Sequence, residues 1–322
     1  MAAGRDVGAA LDLAAAWSGR LPRPGGGATR RLWEAMATVA ATDLQAARAL
    51  EPHLDAVAIL DELDGRDVPA GTSWGVFAAE GPGVRLEAHE TADGWVLDGT
   101  KPWCSLAGRL SHALVTAWLD DDARGLFAVD LRAPGVTTGG GTWVARGLPE
   151  VVSTPIHLAG VRAEPVGGRG WYLDRHGFAW GGIGVAAVWY GGAVGVARRL
   201  LRQAAERELD QVGRAHLGAV DRTLHAARAV LAEAADDVDA GRADGPAGAV
   251  LALRVRAVVV DAVESVLRHC DHALGPGPLV GEPAHAAAVA DLHLYVRQHH
   301  AERDDAALGG AVTGLPDDGR AW

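Results

Sequence analysis

Three successive patterns along the chain predict a mostly helical α+β protein. These are an N-terminal helical segment over residues 1–68, a central antiparallel β-barrel or sandwich over 69–168, and a C-terminal four-helix bundle over 169–322. The first pattern is an alanine-rich stretch with helical spacing of its larger apolar residues. The second is a series of short apolar runs punctuated by Gly, Pro and Asp, with no helix between them. The third is a set of long apolar stripes at steps of three and four.

In the first segment the periodicity runs through Leu11, Leu13 and Trp17. It breaks at Pro22 to Gly27 and resumes in LWEAMATVAATDLQAARALE, with Thr29 placed to cap the new helix. Asp64-Gly65 and Pro69 close the segment. The second segment offers strands at Trp74–Ala79, Val84–His89, Trp95–Asp98, Ala113–Leu119, Leu126–Leu131, Trp143–Arg146, Ile156–Leu158 and Val161–Ala163. Asp98-Gly99 reads as a hairpin turn, because that dipeptide accepts positive φ. No glycine-rich fingerprint opens a helix, so a nicotinamide-binding fold is not indicated.

The third segment holds four helical stretches. In His216 to Asp239 one face collects Leu217, Val220, Leu224, Ala227, Leu231, Ala234 and Val238. Ala247 to Leu274 repeats the stripe and stops at Gly275-Pro276. Pro283 to Leu308 makes the last helix, and Phe178–Leu209 the first. From Gly177 to Ala197 no residue is charged, a length that could just span a bilayer. Six glycines after Ala179 argue instead for a helix buried against neighbours, and Gly191 with Gly195 has the spacing that lets two helices approach closely.

Composition narrows the function. A formal net charge of -11 argues against nucleic acid as a partner, since phosphate contacts need a basic surface. No block of Lys and Arg suggests a membrane surface. Two cysteines, Cys104 and Cys270, are too few for a disulfide framework or a zinc cage. The N-terminal MAAGRDVGAALDLAAAW carries Arg5, Asp6 and Asp12 and reads as no signal peptide, which predicts a cytoplasmic protein.

Chemistry concentrates in WVLDGTKPWCSLAGRLSHALVTA, from Trp95 to Ala117. A Trp with a small hydroxyl two residues later makes a wall for a flat ring: Trp103 supplies a rigid apolar face, and Ser105 a hydrogen-bonding hydroxyl. Gly99, Lys101, Trp103, Cys104 and Ser105 resemble the middle-domain signature G-x-K-x-W-I-(T/S)-N of the acyl-CoA dehydrogenase family. The resemblance extends over residues 70–308 and includes the order of domains, with a shortened front. It implies FAD as cofactor, with Trp103 and Ser105 against the flavin, a small acyl substrate such as a CoA thioester, and assembly as homo-oligomers or with a related subunit.

Three departures bear on the activity the resemblance implies. Where the family carries T-E-P-x-x-G-S-D, this chain has Phe77 to Pro82, with Ala79 at the flavin-binding hydroxyl and Glu80 beside it, so that flavin contacts there fall to backbone N–H groups. The R-x-x-F-G motif for the FAD pyrophosphate is not legible; Arg202 and Arg207 are the nearest arginines. The catalytic Glu is absent, and counting from Asp291, which matches the Asp of the family's R-D pair, its position falls on His299. A carboxylate in an apolar pocket is a strong base toward the carbon next to a thioester carbonyl. A histidine titrates nearer neutrality and can also accept a proton. His299 shares a helix face with Val289, Leu292 and Val296 and should point inward. For Gly275 and Gly277 the resemblance implies the role of the family's Gly-Gly turn, which approaches a neighbouring subunit's cofactor, and a plain helix stop explains them equally well.

Other clusters read as structural. Asp120 to Asp122 is a solvated hairpin tip, Cys104 a buried thiol, and His269 with His272 a helical pair short of a metal set. Three functions follow: an FAD-dependent acyl-CoA dehydrogenase, a flavin-dependent monooxygenase of the same fold, or a non-catalytic partner subunit of a heteromeric enzyme.

Overall fold

The computed structural model describes residues 6–315. The first five residues of the stretch read for a signal peptide, and residues 316–322 of the third segment, lie outside the described residues. Helices α1 (Val7–Trp17), α2 (Thr29–Ala40) and α3 (Leu44–Asp64) come first, followed by strands β1 (Trp74–Phe77), β2 (Leu86–Thr91), β3 (Gly94–Ser105), β4 (His112–Trp118), β5 (Arg124–Asp130), β6 (Val136–Thr138) and β7 (Ser153–Val166). The chain then returns to helix: α4 (Trp171–Asp174), α5 (His176–Glu206), α6 (Gln211–Asp239), α7 (Gly245–Leu274), α8 (Gly277–Gly281), α9 (Pro283–Tyr295) and α10 (Glu302–Thr313).

The strands form one sheet in which β4, β2, β3, β7 and β5 pair in sequence and β5 returns to β4; β1 adds to β4 and β6 to β7. The expectation of a purely antiparallel sheet is corrected, because β1 runs parallel to β4, Trp74 opposite His112 through Phe77 opposite Val115. The 34 residues between those strands carry the β2–β3 hairpin, so the chain re-enters the sheet in its original direction. The hairpin itself turns at residues 91–94, not at Asp98-Gly99. Strand β3 runs through Gly99, whose φ of 120° makes a bulge where the register with β7 shifts. A Cβ at Gly99 would stand 2.3 Å from the Arg85 carbonyl oxygen, so the glycine serves a close approach within the sheet. Trp143–Arg146 is irregular, not a strand, and the pairing in that region belongs to β6. The two short strands expected around Gly160 are one, β7.

Helix α5 is long and apolar enough to cross a membrane by composition, yet its Ile183, Val188, Trp189 and Leu200 are fully buried in the protein. It packs on α2, α6, α7 and α9. The Gly191–Gly195 spacing does what the sequence suggested, since a Cβ at Gly191 would lie 2.3 Å from the Ala37 carbonyl oxygen of α2. We therefore expect Gly191→Ala to lower stability by about 1–3 kcal/mol through overpacking. Gly218→Ala on α6, where nothing lies within 4 Å, should raise it by up to ~1 kcal/mol. Urea midpoints that move in the same direction for both would refute the close-approach account.

Two further expectations are corrected. Thr29 does not cap α2: its hydroxyl donates to Asp239 Oδ1, and Asp239 from α6 takes the Thr29 and Gly27 N–H groups. The single helix expected over 283–308 is two. α9 ends at Tyr295, a 3-10 turn spans Val296–Gln298, and α10 starts at Glu302 after Ala301 at φ 50°. The acidic residues Glu302, Asp304 and Asp305 fill the first turn of α10, where the helix dipole favours them.

Candidate functional site

Lys101 and Cys104 point into the β-domain, while the second β3 bulge, with Trp103 at φ 58°, turns the indole outward so that it is 62% exposed. Lys101 Nζ donates to Glu80 Oε1 at 2.6 Å and to Thr116 Oγ1 at 2.8 Å. Burial lowers the Lys101 pKa, although Glu80 opposes this. The shallower Glu80 carboxylate resists its own burial cost and is held below its ordinary value by Lys101, Trp118 and Arg124. The two directions differ because the lysine is the deeper partner (1% against 32% side-chain exposure), and the ion pair persists. This pair ties the segment after β1 to β3; Pro102 lies against Gly81. Ala79 is exposed on that same segment. Burial pushes the Cys104 thiol up to about 12, as an inert buried thiol requires.

Ser105 faces α3. Its hydroxyl accepts from Arg48 Nη2 at 3.1 Å and lies 2.8 Å from Ser153 Oγ. Ser153 gives its own proton to the Val151 carbonyl, so Ser105 spends its single proton on Ser153. The nearest remaining donor at this position is Arg48, a residue the sequence reading did not single out.

From Arg48 a buried polar chain leads through the helices. Arg48 Nη1 donates to Glu51 Oε2 at 3.3 Å, its guanidinium lies 5.5 Å from the Tyr295 ring centre, and the Tyr295 hydroxyl donates to Glu51 at 3.1 Å. Burial raises the Glu51 carboxyl above its ordinary range, against the pull of Arg48. Tyr295 meets Trp189 edge to face, Arg256 stacks on Trp189 at 4.7 Å, and Arg256 Nη2 donates to the Gln298 carbonyl next to His299. Arg48, Glu51 and Asp55 share a face of α3; a polar run at steps of three and four inside an otherwise apolar helix was the available signal. Beyond Glu51, a cleft of about 110 Å³ opens between α3 and α5, lined by Asp55, Glu62, Arg175 and Trp180.

His299 is buried as expected, though on the turn between two helices and not on a helix. Its Nδ1 accepts the Ala301 N–H at 3.1 Å. That leaves the proton of the neutral ring on Nε2, which is buried, has no hydrogen-bond partner, and stands 3.7 Å from Asp304 Oδ2. Burial lowers the ring's pKa, Asp304 opposing, so it is neutral at pH 7. As arranged, His299 offers a proton; it does not take one. Gly275 and Gly277 lie elsewhere, on the turn from α7 to α8, with open space around both. Arg202 and Arg207 are exposed near the end of α5.

The turned-out Trp103 indole of β3 presents an apolar face, and Arg48 of α3 brings guanidinium donors to Ser105, two positions along. These are the kinds of group that match a flat ring with a carbonyl-rich edge, such as a flavin's. Gln45, one turn before Arg48 on α3, adds a fully buried amide nitrogen without a partner.

Comparison with known proteins follows the same outline. Residues 168–292 match the family described as acyl-CoA dehydrogenase, C-terminal domain. Butyryl-CoA dehydrogenase from Megasphaera elsdenii shares the fold at a TM-score of 0.81 and 18% identity, over 95% of this chain and 89% of that one. Nitrososynthase from Micromonospora carbonacea var. africana does so at 0.73 and 21%, over 92% and 83%. TdsC from Paenibacillus sp. A11-2, solved with FMN and indole, does so at 0.75 and 18%, over 94% and 87%. No curated protein sequence matches the chain.

Proposed function

We propose, from the premise that this chain has the acyl-CoA dehydrogenase fold and that family's C-terminal domain, that it is a flavin-dependent oxidoreductase using dioxygen, a monooxygenase of this fold. One observation carries the reading. At the position where the family's carboxylate base is expected stands His299, with Nδ1 occupied and a proton on Nε2. Removing a proton next to a thioester needs an acceptor there, whereas oxygen chemistry needs a donor that meets developing negative charge in a dry site. The TdsC structure, solved with FMN, supports the flavin part of this reading. So does the missing pyrophosphate motif, which favours FMN over the FAD that the resemblance implies.

When bound, the flavin would supply the electrons. The chain's own residues do the rest. Trp103 gives the ring a face, Arg48 balances negative charge on its edge beside Ser105, and His299 holds a proton at Nε2. Arg256 and Tyr295 keep the turn carrying His299 against α7 and α3. Assembly into an oligomer would cover the exposed Trp103.

A second reading, the dehydrogenase, is favoured by one residue. Glu51 is a buried carboxyl of raised pKa close to Arg48, which is the character such a base requires.

The experiment has two stages. Titration of the purified protein with FMN and FAD, followed by visible absorption, should give a bound flavin with tighter uptake of FMN. Protein that stays colourless with both overturns the flavin reading. Oxygen consumption with reduced flavin is then compared with dye reduction by acyl-CoA. We expect His299→Ala to lower oxygen-dependent turnover by roughly 100-fold or more, as loss of a preorganised donor does, and His299→Gln to lower it less. Dye reduction abolished by Glu51→Gln and indifferent to His299→Ala would instead establish the dehydrogenase.

A further inference from the structure

We infer that the crevice between α3 and α5 binds a small linear organic amine, with the Asp55 carboxylate as partner of its ammonium group and the Trp33 Nε1–H as donor to an oxygen on the same molecule. That this amine is the substrate rests on the proposed function; that the crevice binds it does not.

The crevice has two adjoining parts that share Asp55, Ala58, Trp180 and Gly181 as walls. One is the cleft of about 110 Å³ beside Arg175, and the other holds about 30 Å³ between Trp33, Glu51 and Gly184. The smaller part takes roughly two or three water-sized groups, enough for the end of an unbranched arm but not for a ring system. Two glycines of α5 make the room. A Cβ at Gly181 would stand 3.1 Å from Asp55 Oδ1, and one at Gly184 3.4 Å from Trp33 Nε1.

The polar groups along it are not all met. Arg175 Nη1 donates to Glu62 at 2.6 Å, and Arg23 donates to Asp67 and to the Ser18 carbonyl, both at 2.8 Å, with Asp61 4.0 Å away. Asp55 accepts no hydrogen bond among the described residues, and its one ion pair there, with Arg175 Nη2, is as long as 3.8 Å. Burial raises its carboxyl above the ordinary range, Arg175 opposing and Glu62 adding to the rise. An ammonium brings the charge and the three donors that such a carboxylate lacks. Arg23 and Arg175 repel it, but each already faces a carboxylate of its own.

Trp33 is the second unmet group. Its side chain is buried, the residue being 3% exposed, and its Nε1–H makes no hydrogen bond among the described residues while facing the space that Gly184 leaves. Trp180, fixed by donating to the Ala243 carbonyl at 2.8 Å, adds an aromatic wall that favours a cation. Asp55 lies about 10 Å along α3 from Arg48, so the ammonium anchors the ligand at a distance from Ser105 and is not its reacting group. The alternative is that Asp55 carries a proton of its own and only packs beside the Arg175–Glu62 pair.

The test uses the full chain without flavin, read by tryptophan fluorescence and calorimetry. Linear aminobutanol should bind saturably at roughly millimolar concentration, as ligands of so few atoms do. Butanediol and hydroxybutyrate of the same length should bind at least about tenfold more weakly, and Asp55→Asn should cost the amine at least about tenfold. Trp33→Phe, which removes only the N–H, should cost severalfold. Asp55→Asn replaces a carboxyl that burial already drives toward its neutral form, so the variant should fold, and circular dichroism verifies it. Absence of saturation by the amine, equal binding of all three compounds, or amine affinity unchanged in Asp55→Asn overturns the site. Flavin uptake is measured separately. Amine binding by a chain that takes up no flavin keeps the site and removes the proposed function, and flavin uptake without amine binding does the reverse.

Discussion

Lys101→Ala is expected to destabilise the protein by about 2–4 kcal/mol, measured as a shift of the urea midpoint. Removing one member of a buried ion pair typically costs about 3–5 kcal/mol, because the other charge is left without its partner. The lower range applies because Glu80 is about a third exposed and keeps Arg124 at 3.2 Å and Trp118. Thr116 loses its only bond to the lysine, and four methylenes leave a space inside the β-domain. Lys101→Met, which refills that volume, should cost less, and adding Glu80→Gln to it should restore part of the loss. Equal costs for Ala and Met would show that charge pairing alone mattered. If the proposed function holds, Lys101→Ala should also weaken flavin uptake, since the pair ties the segment after β1 to β3.

Acid should destabilise the chain through His53. This buried side chain on α3 accepts the Trp74 N–H at Nδ1 (3.2 Å) and donates from Nε2 to Ser18 Oγ (2.5 Å), joining the end of α1 to β1. Burial, helped by Arg23, lowers its pKa from 6.5 to about 4. The unfolded chain takes up the proton first, near pH 6.5, and the folded one only near pH 4. Stability is therefore fully present above pH 6.5 and is lost as pH falls toward 4. The loss amounts to roughly 3 kcal/mol, at about 1.4 kcal/mol for each pH unit between the two values. Glu51 and Asp55, raised by burial, offset part of this as pH falls by protonating more readily when folded. The comparison with His53→Asn, which keeps an acceptor for Trp74, isolates the histidine. The variant's stability should change less between pH 7 and 4.5, and parallel profiles would remove His53 from the account.

Most of the helices could be read from the chain because an amphipathic stripe is a local property, and so was the close approach at Gly191. The strands were legible where turn residues bounded them. They were misread where the sheet itself bends the chain. Asp98-Gly99 has the composition of a hairpin turn, yet the pairing of β3 with both β2 and β7 pulls it straight into a bulge. Similarly, the periodicity that joins Val289 and Leu292 to His299 ignores the end of α9 at Tyr295 and the 3-10 turn over Val296–Gln298 that follows it.

At the site, the sequence singled out Trp103, Ser105 and His299, but not the direction in which their protons run. Ser105 donates to Ser153, and His299 accepts from Ala301 while its Nε2–H is left over. Arg48, Glu51 and Tyr295 were invisible as a group, because Tyr295 lies 244 residues from Glu51 along the chain. What the sequence determined by itself was composition, the succession of helical, strand and helical segments, and the identity of an indole and a hydroxyl two positions apart. The tertiary structure alone decided which donors meet which acceptors, because a hydrogen bond depends on atoms within about 3 Å and only packing brings distant segments that close.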